Sequence, residues 1–357
     1  MKQIPIWTVV VPLISWLLLG GIALGWGGAF LFLAALGLGA CVIASVHHAE
    51  VIAHYVGEPF GTLVLAVAVT VIEVALIVSL MLSGGPSTAA LARDTVFAAV
   101  MIILNGMIGV CLLVGGSRHG EQTFGLYGVS AALTTLAAIS VLTLILPNYT
   151  TSASGASYST SQLVFIAIVS LVLYGAFVLI QTIKHRHYFL TENGEGDEVS
   201  AEHRPPRIRL VVSSIALLAS LGAVVLLAKS LAPVVEAGVV GMGAPQAVVG
   251  IIIAGVILLP EGFAAYRAAR ANRLQTSLNL ALGSALASIG LTIPTVAILS
   301  VLTGWQITLG LEIKSSVLLL LSLFVASLSL STGKTTILQG TVHLVIFAVY
   351  VFITLIP

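Results

Sequence analysis

"VLAVAVTVIEVALIVSLML", residues 64–82, sets one carboxylate, Glu73, at the centre of an otherwise uncharged run. A helix of this length covers about 30 Å, the thickness of a bilayer's hydrocarbon core. A charged group at such a depth costs several kcal/mol, with estimates from about 2.5 upward. The run therefore asks two things of the chain: a membrane around it and a chemical reason for the acid.

The composition supplies the membrane. Of 357 residues, 59% are hydrophobic and only 8% are Asp, Glu, Lys or Arg, and the mean hydropathy is +1.15. Soluble domains carry about a quarter charged residues, so no water-facing surface can be built from this supply. The formal charge of +1 points to no nucleic-acid or other acidic partner. Cys41 and Cys111 both lie in apolar runs and form neither a disulfide framework nor a CxxC metal motif.

Apolar runs long enough to span fall near 6–24, 27–47, 59–83, 95–115, 124–146, 162–183, 209–229, 239–265, 275–302, 315–331 and 338–356. The expected fold is an all-α polytopic membrane protein of about eleven transmembrane helices. Lys2 followed by an apolar run has the form of a signal peptide, but with ten further runs behind it the first reads as a membrane helix. With the N-terminus on one side, that side holds eleven Lys and Arg and the other holds three, Arg93, Lys229 and Lys314. Positive charge concentrates in the cytoplasm, which puts the N-terminus inside and the C-terminus outside a cytoplasmic (inner) membrane.

One long polar stretch, "KHRHYFLTENGEGDEVSAEHRPPRIR" (184–209), interrupts the runs. It is basic at both ends and acidic between, with Glu192, Glu195, Asp197, Glu198 and Glu202. It reads as a solvated cytoplasmic linker or as a regulatory segment that gathers cations. On either side of it two segments read alike: "VGEPFGTLVLAVAVTVIEVALI" (56–77) and "MGAPQAVVGIIIAGVILLPEGFAA" (242–265). Each opens on Gly-x-Pro, continues through small and apolar residues and ends at a buried Glu, 14 residues after Pro59 and 16 after Pro245. The organisation is then a first helix (1–26), five spans (27–183), the linker (184–208) and five spans (209–357). Two five-span halves enter the membrane in opposite senses, an inverted repeat of the kind many secondary transporters use.

The repeat brings Glu73 and Glu261 to one depth from opposite directions. Neither has a Lys or Arg within its own apolar run. Each lowers its cost by taking a proton, by binding a cation or by hydrogen bonding to a neighbouring helix. If protons and a cation neutralise the same pair, they compete for it, and a site that reorients only when neutral exchanges one for the other. Two glutamates match two protons or one divalent ion, so both acids are candidate metal ligands for the transported ion.

Small residues (Gly57, Gly61, Ala66 and Ala68; Gly250, Ala254 and Gly255) allow close helix approach, although plain helix packing also uses them. Pro260 frees a carbonyl one turn earlier. Candidate accessory ligands are Thr70, Asn105, Ser288, Asn279 and Ser284. Asn279 and Ser288 are nine residues apart, about 13.5 Å along a helix, so both cannot touch one ion, and Asn105 and Ser288 are preferred. In "HHAEVIAH" (47–54), His47, Glu50 and His54 share a helical face. They are candidates for a proton or metal sensor, or for a polar helix end; with Glu58, Glu50 is also a candidate for the inner entrance. The pairs Gly21/Gly25 and Gly57/Gly61 are too common a pattern to imply a dimer.

At these residues the sequence resembles the cation/calcium exchanger superfamily, and within it the bacterial ChaA-type cation/proton antiporters. The matching stretches are "AEVIAHYVGEPFGTLVLAVAVTVIEVALI" (49–77) and "LPEGFAAYRAARANRLQTSLNLALGSALASIGLT" (259–292). The resemblance implies that Glu73 and Glu261 carry the transported cation and the protons, and that Glu50 matches a family glutamate on the preceding helix. Proton-coupled calcium exchangers of the family read Gly-Asn-x-x-Glu in each repeat. This chain reads Val69-Thr70-Val71-Ile72-Glu73 and Ile257-Leu258-Leu259-Pro260-Glu261. Calcium takes 6–8 oxygens, roughly, so the loss of side-chain oxygens favours Na⁺ or K⁺.

The expected function is proton-coupled export of Ca²⁺ and/or Na⁺ and K⁺ by alternating access, with the lipid bilayer and inorganic cations as partners and no cofactor. A passive cation channel is the alternative, and an intramembrane enzyme a more distant one. No HExxH or GxSxG occurs, and the residue five before Gly333 in "GKT" is Leu328, so there is no nucleotide loop.

Overall fold

The computed structural model describes residues 5–56, 60–189, 207–241, 243, 245 and 247–356, without the side chains of 54, 60–66, 86, 87, 236, 239 and 240. Glu58, Pro59 and most of the polar linker (190–206) lie outside the described residues. The helices are α1 (Ile6–Ala23), α2 (Ala29–Val56), α3 (Phe60–Gly84), α4 (Leu91–Met101), α5 (Ile108–His119), α6 (Leu126–Ser140), α7 (Thr160–Leu179), α8 (Arg207–Gly241), α9 (Ala247–Arg270), α10 (Leu274–Thr303), α11 (Ile313–Ser329) and α12 (Ile337–Leu355). A π-helical turn, Ile102–Met107, joins α4 and α5 into one span. Ten described helical segments are long and apolar enough to cross a membrane, and α11, at 17 residues, is shorter. The expected eleven runs are thus all helical.

Boundaries move: the run expected at 27–47 continues to Val56. The run expected at 209–229 continues to Gly241, and the one expected at 239–265 starts only at Ala247. Between them Gly243 has φ +70°, a conformation that suits glycine, and Pro245 follows. Backbone geometry, not hydropathy, ends the helix here.

The chain forms two compact units, residues 1–83 with 197–243, and 84–196 with 244–357. Each draws on both sides of the linker. In the first, α2 packs on α1 and α8, and α1 on α8. Ile72 of α3 joins Cys41, Val42, Ala223 and Val224 in one apolar cluster, while Ala34, Leu227 and Leu231 form another. Pro12 lies inside α1 and has no N–H for the carbonyl of Thr8. His48 of α2, fully buried, supplies the donor: its Nε2 lies 3.0 Å from the Thr8 oxygen.

A prediction follows from that substitution of partners. His48→Leu leaves the Thr8 carbonyl without its donor and costs about 1–3 kcal/mol. Adding Pro12→Ala restores the helical donor and recovers most of the loss. Thermal unfolding of the four proteins in detergent reads the coupling; additive effects would contradict it.

In the second unit α5 packs on α12 and α10 on α7, while α6 meets α7 and α11 meets α12. If α2–α7 and α8–α12 are two halves, with α4–α5 as one span, these are reciprocal pairs. The loops repeat the pattern at opposite ends. β1 (Gln122–Thr123) pairs antiparallel with β2 (Lys334–Thr335), Gln122 opposite Thr335. At the other end the Leu309 and Gly310 amides donate to the Ala156 carbonyl at 3.2 and 2.9 Å, and the Leu311 amide to Leu144 at 2.8 Å. The Asn148 amide returns a bond to the Leu311 carbonyl at 2.7 Å. At each end, the connection between the third and fourth spans of one half meets that between the fourth and fifth of the other. Two halves of opposite sense would produce this reciprocity.

The basic residues of this unit separate accordingly. His119, beside Arg118, bonds the Arg270 carbonyl at 3.1 Å, and Gln122 donates to Ala269 at 3.0 Å. Arg118, Arg267, Arg270 and Lys334 therefore share one end. Arg93 donates to the Gly310 carbonyl at 3.1 Å, at the end where Lys314 begins α11.

Candidate cation site

Helix α3 buries Val69, Thr70, Ile72, Glu73, Leu76 and Ile77 and exposes Val67, Val71 and Leu82. The contact of Ile72 with α2 and α8 fixes the rotation of the helix about its axis. That rotation turns Glu73, 2% exposed, and Thr70, one turn earlier, inward. The first unit thus holds one carboxylate and one hydroxyl on the buried face of a single helix.

In the second unit Glu261 sits on α9, 8% exposed. Pro260 precedes it inside the helix and deprives the Val256 carbonyl of its helical donor. Gly250 brings α9 close to α4: a Cβ at that position would lie 3.1 Å from the Asp94 carbonyl carbon. From α10, the Ser284 hydroxyl donates to Glu261 Oε1 at 3.3 Å. Ser288 follows one turn later, also buried. The carboxylate, two hydroxyls and a freed carbonyl are the hard oxygen donors that alkali and alkaline-earth cations take.

The π-turn packs against α12, α10 and α9 and also touches α11. It carries Asn105, which is fully buried. The Asn105 amide donates to Ser322 Oγ at 2.8 Å, and its oxygen lies 3.2 Å from His343 Nδ1. Ser322 in turn donates to the Leu318 carbonyl at 2.7 Å.

The structure therefore joins Ser284 to Glu261 and places the turn bearing Asn105 against the two helices that carry them. Asn279 lies elsewhere. Its amide donates to the Phe189 carbonyl at 2.6 Å and its oxygen accepts from Gln275 at 2.8 Å, so it ties the start of α10 to the chain after α7. The other proposed cluster is described in part. His47 is half-buried with its ring 6.3 Å from Trp7, and Glu50 is exposed. The His54 side chain and Glu58 lie outside the described residues.

Among the buried polar residues that the sequence reading passed over are His48, Ser322 and His343. The signal for His343 was present, because a titratable residue within an apolar run is a functional candidate by default. For Ser322 there was none, since serine is common in membrane helices.

Residues 16–183 and 212–356 match the family described as sodium/calcium exchanger protein. An ionic transporter of Sinorhizobium fredii, y4hA, is 48% identical over 359 residues, covering 99% of this chain and 97% of its own. The sodium-potassium/proton antiporter ChaA of Escherichia coli is 35% identical over 320 residues, 89% of this chain and 86% of its own. A crystal structure of the Ca²⁺/H⁺ antiporter YfkE superposes with a TM-score of 0.72 at 17% identity, covering 99% of this chain and 98% of that one.

Proposed function

The chain belongs to the sodium/calcium exchanger protein family, and from that premise we propose that it exchanges Na⁺ or K⁺, and more weakly Ca²⁺, for protons through Glu73 and Glu261. It is a multi-pass membrane protein and a cation antiporter. The observation that carries the finer reading is the contact between Ser284 and Glu261: a carboxylate buried in an apolar helix, met by a hydroxyl from the next helix at 3.3 Å.

The chemistry follows from the cost of an uncompensated charge. With two protons bound, the pair of glutamates is neutral. When the protons leave, a cation must replace them before the site is again cheap to bury. A divalent ion neutralises both charges; one monovalent ion neutralises one and leaves the other to a proton or a second ion. Thr70, Asn105, Ser284 and Ser288 add neutral oxygens. Alternating access then moves a discharged site between the two sides, with the halves 27–183 and 209–357 as the repeating elements and 184–208 as the cytoplasmic connection. The surplus of Lys and Arg sets the N-terminus and the linker in the cytoplasm and the C-terminus outside, in an inner membrane. Inward proton flow then drives cations out.

Two facts support the monovalent preference. Thr70 and Leu258 stand where the Gly-Asn-x-x-Glu motifs of proton-coupled calcium exchangers carry asparagine, and ChaA, which shares 35% of its aligned residues, is named for sodium and potassium. Proteoliposomes holding an inside-acid pH gradient test the reading, with Ca²⁺, Na⁺ and K⁺ titrated outside in parallel. Na⁺ or K⁺ collapses the gradient at concentrations where Ca²⁺ acts weakly. Strong Ca²⁺ exchange without a monovalent response contradicts the preference. Cation flux indifferent to the pH gradient contradicts antiport and favours a channel.

A further inference from the structure

We propose that His343 is a positioning residue for the cation site, holding the Asn105 carboxamide so that its oxygen, and not its amino group, is available to an ion. The inference rests on the reading of Asn105 as an accessory ligand.

The hydrogen bonds form a chain with one direction. Ser322 Oγ gives its proton to the Leu318 carbonyl at 2.7 Å, so towards Asn105 it can only accept. The group 2.8 Å away must then be the Asn105 amino group. That leaves Asn105 Oδ1 facing His343 Nδ1 at 3.2 Å, and between an amide oxygen and an imidazole nitrogen the nitrogen donates. Three fully buried side chains from the π-turn, α11 and α12 thus specify one orientation of one carboxamide.

The backbone is arranged for this contact. At Gly109 a Cβ would stand 3.1 Å from the His343 Cβ, and at Gly340 one would stand 2.9 Å from the Gly109 carbonyl oxygen. Glycine on both helices lets α12 approach α5 closely enough for the imidazole to reach the π-turn. The turn itself departs from α-helical spacing at Asn105, a deviation that recurs at functional sites.

The benefit to a transporter is specific. A free carboxamide presents its oxygen and its amino group to a cation with similar ease, and the amino end repels it. Locking the group beforehand removes the cost of ordering it when the ion arrives. One oxygen lone pair accepts from His343 and the other remains for an ion. A Ser or Thr hydroxyl in place of Asn105 needs no such lock, which is why the three residues act as a unit.

The test uses the full-length protein in detergent. Cation-dependent thermal stabilisation gives an apparent Kd for Na⁺ and K⁺, and proteoliposome flux gives KM and maximal rate. His343→Leu removes the donor and raises the Kd and KM about tenfold, as losses of outer partners of metal ligands commonly do, with the maximal rate little changed. His343→Asn keeps a donor near the position of Nδ1 and restores most of the affinity. In an Asn105→Ala background His343→Leu has no further effect. An unchanged Kd in His343→Leu, a His343→Asn no better than His343→Leu, or a full additional loss on top of Asn105→Ala overturns the assignment. Wild-type flux without proton coupling, alongside a His343-dependent Kd, instead counts against the exchange reading alone.

Discussion

Replacing Glu261 with glutamine abolishes cation-driven proton flux while leaving the protein folded in the membrane. Glutamine keeps the length of the side chain and an oxygen that accepts from Ser284 Oγ, which lies 3.3 Å from the carboxylate. What it loses is the charge and the ability to take a proton. A hydrogen bond or ligand contact to a charged group contributes about 1.5–3 kcal/mol, and about 3 kcal/mol amounts to roughly a hundredfold in affinity. The proton loss is absolute, because an amide does not titrate in this range. Stability should hold or rise, since removing a buried charge removes its desolvation cost. Glu73→Gln, on α3, behaves alike. Flux in proteoliposomes and thermal unfolding in detergent, measured on both variants, separate loss of transport from loss of fold. Exchange retained in both single variants would refute the assignment of the two acids.

The second large effect is on the pH dependence. If protons and cations occupy the same carboxylates, lowering the pH on the loading side raises the apparent KM and leaves the maximal rate unchanged at saturating cation. The sign follows from occupancy: more protons bound means fewer sites open to the ion. One competing proton gives a rise of up to about tenfold per pH unit and two give up to about a hundredfold. The slope thus counts the protons displaced by each ion. A maximal rate that falls with pH at constant KM would place proton and cation on separate sites and remove the basis of exchange by mutual neutralisation.

Much of this fold was legible from the chain because apolar runs in a membrane have few alternatives. All eleven expected runs are helical, and α5 pairs with α12 as α10 pairs with α7. The boundary near 241–247 was not legible. Hydropathy continues through it, while the positive φ of Gly243 ends the helix for reasons that an apolarity count does not contain. The role of His48 was hidden for a related reason. The need for a donor at the Thr8 carbonyl is set by Pro12, but the donor comes from 40 residues away on α2.

The candidate site divides in the same manner. Its acids stood out because a carboxylate in an uncharged run is expensive wherever the run packs. Its neutral oxygens did not. Ser284 and Asn279 lie on one helix with similar chemistry, yet Ser284 meets Glu261 and Asn279 bonds the Phe189 carbonyl.

The sequence by itself determined the medium and the electrostatic problem: 8% charged residues require lipid, and two acids in that lipid require something to discharge them. Tertiary structure alone decided that Ser284 meets Glu261 and what Asn105 faces. Ser322 and His343 lie 217 and 238 residues from Asn105 and orient it from two other helices. Periodicity fixes which face of a helix a residue occupies, but the neighbour of that face is chosen by the shape of the whole bundle.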